Sequence, residues 1–94
     1  MFIIYSDRIQ TDSHQQFQAW RQAHWRDGEF LHLAKQSGMK NFKLHAARCR
    51  HFENPSLATG KSLTKVPKVC STNRGELFEW AIGQGAYIQG CDCL

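Results

Sequence analysis

Four cysteines, all in the second half of a 94-residue chain, constrain this sequence more than any other feature. Cys49 lies between His45 and His51, Cys70 stands alone, and Cys91 and Cys93 are separated by a single residue. A domain this short buries a small share of its surface and often needs a staple beyond its apolar core. The opening Met1-Phe2-Ile3-Ile4-Tyr5 runs straight into Ser6-Asp7-Arg8. It lacks the basic start, long apolar run and small-residue cleavage site of an export signal. No stretch approaches the roughly 18 apolar residues of a membrane span. The expectation is a cytoplasmic chain, where thiols stay reduced and clustered cysteines point to metal more than to disulfides.

Residues 1–94 read as one domain, since two would leave each half without a core. Met1–Tyr5 has the β-branched and aromatic content of a strand. Ser13 with Gln16 has the form of a capping box, and Phe17, Trp20 and His24 recur at helical spacing, predicting a helix over about 13–25 that Asp27-Gly28 ends. Glu29–Lys35 and Lys40–Ala47 read as a hairpin around Gln36-Ser37-Gly38. In its second strand Phe42, Leu44 and Ala46 alternate with Lys43 and His45. Asn54-Pro55 and Leu57–Thr64 form a connection. Lys65–Cys70 reads as a strand that Pro67 would confine to an edge. Asn73 and Glu76 start a second helix carrying Leu77, Trp80 and Ala81, with Gly83 and Gly85 at its end, and Ala86–Gln89 is a last strand. The resulting order, β-α-β-β-(loop)-β-α-β, predicts an α+β fold: a small sheet of four to five strands with two helices packed on it. Trp20 and Trp80 would supply core bulk, and Trp25 would cover the edge of the core beside the turn.

Each cysteine falls at or just past the end of a predicted strand. The last two strands are joined through a helix, a connection that favours parallel strands, so Cys70 and the Cys91/Cys93 pair should approach one edge. If the strand ending at Ala47 runs the same way, His45 and Cys49 join them. Either the four cysteines, or His45 with three of them, would complete a closed tetrahedral zinc site, which leaves no position for substrate. Unligated buried thiols and disulfides are the alternatives; four cysteines allow three pairings, of which Cys91 with Cys93 is sterically the poorest. His14 is expected to face solvent, His24 to pack on the apolar side of its helix, and His32 to be ambiguous beside Phe30.

From Lys35 to Arg74 nine basic residues face a single acid, Glu53, while both flanking segments are mildly acidic. That distribution suits a face that meets an anion; the plainer reading is solvated surface lysine. Lys40, Lys43, Arg48, Arg50, Lys65 and Lys68 would neutralise phosphates, with Phe52 or His51 stacking on a base.

The run Trp20…His24…Asp27-Gly28-Glu29-Phe30-Leu31, then Leu44-His45-Ala46-Ala47-Arg48-Cys49, Lys68-Val69-Cys70, Leu77…Trp80-Ala81 and the terminal cysteine pair resembles small bacterial domains of uncharacterised function. Those are built on W…H-x-x-G-F-x-L, L-H-x-A-x-C, K-x-C, L-x-x-W and C-x-x-C. Here the last pair is one residue closer than that pattern. The resemblance implies that the cysteines group with His45, and it implies no reaction.

Three functions compete. The leading expectation is a small zinc-stabilised binding module contacting nucleic acid through its basic middle, without helix-turn-helix, zinc-finger or RNP-like motifs for specific readout. The second is a protein–protein regulator or inhibitor of the phage or mobile-element type. The third is an enzyme with Cys49 as nucleophile, His45 or His51 as base, and Arg48 and Arg50 lowering the thiol pKa.

Overall fold

A computed structural model describes residues 2–33, 35, 36, 39–52, 63–91, 93 and 94, excluding the side chains of residues 35, 36, 39, 40 and 51. The elements are β1 (Ile3–Tyr5), α1 (Ser13–Ala23), β2 (Glu29–His32), β3 (Lys35–Gln36), β4 (Met39–Ala46), β5 (Lys68–Ser71), α2 (Arg74–Gly83) and β6 (Tyr87–Gly90). β3 continues β2 along β4 in the same antiparallel register, so the two act as one interrupted strand and the chain has the expected α+β order. The predicted turn residues Ser37 and Gly38, and the connection from residue 53 to residue 62, lie outside the described residues.

The sheet runs β1-β5-β2-β4, with β6 on the far side of β4. β2 is antiparallel to both β4 and β5, and β6 is parallel to β4. β4, β5 and β6 therefore share one direction, as the helical connection between β5 and β6 requires. They are not all neighbours: the β2–β4 hairpin lies between β5 and β6. β5 is also an interior strand, paired with β1 on one side and β2 on the other, where an edge was expected. Pro67 permits this because it stands one residue ahead of the ladder, where its missing N–H costs nothing and its carbonyl accepts from Leu33 N at 3.2 Å.

Strand alternation divides the interior in two, one helix to each face of the sheet. Phe30 and Cys70 pack with Tyr5 and with Phe17 and Trp20 of α1. Leu31, Leu44 and Val69 pack with Leu77 and Ala81 of α2. Phe17 meets Phe30 edge-on at 5.0 Å, and Trp80 stacks on Phe42 at 5.7 Å. The two tryptophans expected in one core thus serve separate ones.

Ser13 is not a cap. Asp12 holds that position, and the buried Ser13 hydroxyl instead donates to Asp7 Oδ1 at 2.6 Å, a carboxylate that also accepts from the Thr64 hydroxyl. Asn73 does cap α2, accepting from Glu76 N at 3.3 Å. At the other end Gly85, at φ 67°, closes a Schellman turn in which its N–H reaches Ile82 O and that of Ala86 reaches Ala81 O. Gly28 is needed for space: a Cβ there would sit 2.6 Å from the Trp20 ring. Its carbonyl accepts from Ala47 N at 2.8 Å, which aligns the start of β2 with the end of β4.

Candidate metal centre

The pairing of β6 with β4 decides which donors meet. Gly90 lies opposite Leu44, and Cys91 N extends the ladder by donating to Leu44 O at 2.9 Å. The chain leaving β6 therefore passes His45 on the neighbouring strand. Past Ala46, β4 turns back on itself, with Cys49 N donating to Ala46 O at 2.9 Å, and this returns the Cys49 thiol to the level of His45. One nitrogen or sulfur atom from each of His45, Cys49, Cys91 and Cys93 lies within 4.8 Å of all the others. His45, Cys49 and Cys91 are buried, and Cys93 is half-buried.

The separations suit a common ion. His45 Nδ1 is 3.5 Å from Cys49 Sγ, and Cys49 Sγ is 3.9 Å from Cys91 Sγ. Bonds of about 2.3 Å to sulfur and 2.0–2.1 Å to nitrogen give tetrahedral edges of about 3.8 Å between sulfurs and about 3.6 Å between sulfur and nitrogen. A disulfide would need about 2.05 Å between sulfurs, and none of the four cysteines is in one.

Packing fixes the ligands from behind. The His45 ring stacks on Phe30, its cross-strand partner, at 5.3 Å and meets Phe52 edge-on at 4.8 Å. Ala46 N donates to Cys93 Sγ at 3.3 Å. Burial opposes ionisation of Cys91, but the Cys93 backbone N–H, the Cys93 and Cys49 thiols and the Lys43 ammonium outweigh it, so its pKa falls below the ordinary thiol value. A lowered thiol pKa favours the thiolate that a metal takes.

Arg21, which no sequence motif marked, organises the loop carrying Cys49. Its side chain is 2 % exposed. Its guanidinium donates to the carbonyls of Ala47 (2.8 Å), Cys49 (3.1 Å) and Phe52 and lies over the Trp25 ring. The available signal was an arginine one residue past Trp20, on the edge of the apolar face of α1.

Cys70 does not join the group. It shares a cross-strand row with Phe30 and His45 on one face of the sheet, and the Phe30 side chain stands between them. Cys70 is fully buried, and burial drives its pKa up, so it remains a neutral thiol in the apolar core.

The other sequence candidates are dispersed. Lys43, Arg48, Arg50 and Lys65 are exposed, and the side chains of Lys40 and His51 lie outside the described residues. Lys68 is fully buried, its ammonium donating to the carbonyls of Leu63 and Val66 at 2.7 Å and lying over Phe52, so it cannot reach a phosphate. Lys65 precedes β5 and therefore lies at the opposite end of the sheet from Arg48 and Arg50, which follow β4. The expected single basic face is thus divided. His14 is half-buried and accepts from Leu63 N at 2.8 Å, where solvent was expected; His24 is half-exposed beside Asp27. Burial, then Lys68 and Lys43, lower the His32 pKa to about 4.

Fold and site define a small α+β domain whose donor set, one histidine and three cysteines, is able to hold one metal ion. Among the described residues, no helix is long and apolar enough to cross a membrane. No protein-family model, curated protein or solved structure matches the chain.

Proposed function

We propose that this protein is a small binding module stapled by a structural zinc ion on His45, Cys49, Cys91 and Cys93. The observation that carries the reading is the convergence of three thiols and one imidazole, all within 4.8 Å of one another, from two stretches far apart in the chain. Three sulfurs with one imidazole are a zinc set more than a magnesium or calcium set. Four protein donors close the coordination sphere, so the ion acts on the fold and not on a substrate. Burial argues the same way against Cys49 as a nucleophile, since its side chain is 1 % exposed and that of His45 4 %. The resemblance to small bacterial Cys/His domains would group these residues and Cys70 with them.

Native mass spectrometry of protein purified without chelator tests the staple. One zinc ion per chain is expected in the parent, and none in Cys91→Ser/Cys93→Ser. A metal-free parent that melts at the same temperature with and without added zinc would overturn it.

The partner of the module is best read as an anion meeting the metal-bearing end, where Lys43, Arg48 and Arg50 are exposed. Three phosphate contacts give a log–log salt slope of about −2.7 on duplex DNA. A flat salt dependence, or co-purification with a protein and no shift of DNA or RNA, would favour the regulator reading instead.

A further inference from the structure

We propose that the cavity on the α2 side of the sheet binds a small amphipathic carboxylate, a medium-chain fatty acid in its simplest form. The cavity measures about 510 Å³ and is walled by Leu33, Phe42, Val66, Pro67 and Trp80, with Arg8 and Lys65 as its charged lining. That size is within the range of small-molecule sites, about 300–1,000 Å³. It lies on the face opposite His45, so it stands or falls separately from the metal centre.

The two cations are placed together by the fold. Asp7 N donates to Thr64 O at 3.1 Å, joining the two segments whose next residues are Arg8 and Lys65. Both side chains are exposed, and neither forms an ion pair among the described residues. Asp7 is the acid nearest to them in sequence, and its carboxylate accepts from the Ser13 and Thr64 hydroxyls. No acid lines the cavity among the described residues. Apolar walls with two cations and, among the described residues, no acid in the lining match a ligand with an apolar body and one anionic end. The guanidinium of Arg8 suits a carboxylate as a two-pronged donor. The walls suit an aliphatic body: Trp80 is held by its stack on Phe42, and Pro67 is held by its bond to Leu33.

The test is a proton–nitrogen NMR titration of the full chain as purified with decanoate below its micelle concentration, with decanol as the neutral control. Saturable shifts of the Leu33 and Val66 amides and the Trp80 indole N–H are expected. Decanol, or decanoate added to Arg8→Gln/Lys65→Gln, should bind about tenfold more weakly, which corresponds to about 1.4 kcal/mol. Both substitutions are at exposed positions, so the fold is expected to survive them. Absence of saturable shifts at low-millimolar decanoate would overturn the proposal. So would equal binding of decanol, or an affinity unchanged in the double variant.

Discussion

The guanidinium of Arg21 donates to the carbonyl oxygen of Cys49 at 3.1 Å, so a buried cation on α1 holds the backbone of a metal-ligand candidate 28 residues away. The same group takes the carbonyls on either side, at Ala47 and Phe52. A three-pronged grip of this kind fixes the turn whether or not an ion is bound, and it sets where the Cys49 thiol points.

Arg21→Met should therefore damage both stability and metal affinity. It leaves three buried carbonyls without this donor, at about 1–3 kcal/mol for each group that water cannot reach. Loss of a positioning group behind a ligand typically weakens metal binding about 10–100-fold. Competition against a chromogenic chelator measures the second effect and urea unfolding the first. Arg21→Lys should not restore either, because one ammonium cannot match the fork.

Cysteine substitutions should separate into two classes. Cys49→Ser, Cys91→Ser and Cys93→Ser are each expected to abolish the one ion per chain that native mass spectrometry should find in the parent. Cys70→Ala should retain it and cost only packing, about 1 kcal/mol for the lost contacts. Metal loss in Cys70→Ala would place that thiol back among the ligands.

Lys68 gives the fold a pH signature. Burial, opposed by attraction to Cys70 and Asp7, lowers its pKa to about 7 from 10.5. Between those values the unfolded chain binds a proton that the folded chain has released, so stability rises as pH climbs from about 7 toward 10.5. The penalty for burying the charged ammonium is fully present below about pH 7. The stability difference between the parent and Lys68→Met should thus move in favour of the parent from pH 7 to 10, read by urea unfolding. A pH-independent difference would mean that the lysine stays charged in the core.

Gly28→Ala is expected to destabilise the chain by about 1–3 kcal/mol, the usual range for overpacking. The new methyl would meet the Trp20 ring at 2.6 Å and His24 at 2.8 Å. Thermal unfolding reads the loss, and Trp20→Phe in the same chain should recover part of it.

Much of this architecture is legible from periodicity. The Phe42, Leu44, Ala46 alternation, the Asn73 cap and the Gly85 stop each specify a local conformation, and all three stand where expected. His45, Cys49, Cys91 and Cys93 were within reach for the same reason, since parallel direction follows from the β5–α2–β6 connection. Sheet order was not, because it depends on which strand the β2–β4 hairpin prefers as neighbour. That unknown led Cys70 to be grouped with thiols from which Phe30 separates it. Lys68 and Ser13 take places other than those expected, and Arg21 carries no sequence signal, for a different reason. Arg21 is buried on carbonyls 26 to 31 residues away and Ser13 meets Thr64 51 residues away, while Lys68 turns back onto the carbonyls of Leu63 and Val66 just ahead of β5; no periodic pattern encodes any of these contacts.

β6 touches the sheet along β4 alone, through four residue pairs, and follows every other strand in sequence. Beyond that ladder the strand is held by Ile88 against the α2-side core, and an ion on Cys91 and Cys93 would fasten its trailing end to the turn after β4. With an ion bound as proposed, its removal would free β6 to peel away and uncover the hydrogen-bonding rim of β4. Bare rims of that kind recruit other chains, so metal depletion should show first as growth in light scattering, ahead of any loss of helical signal.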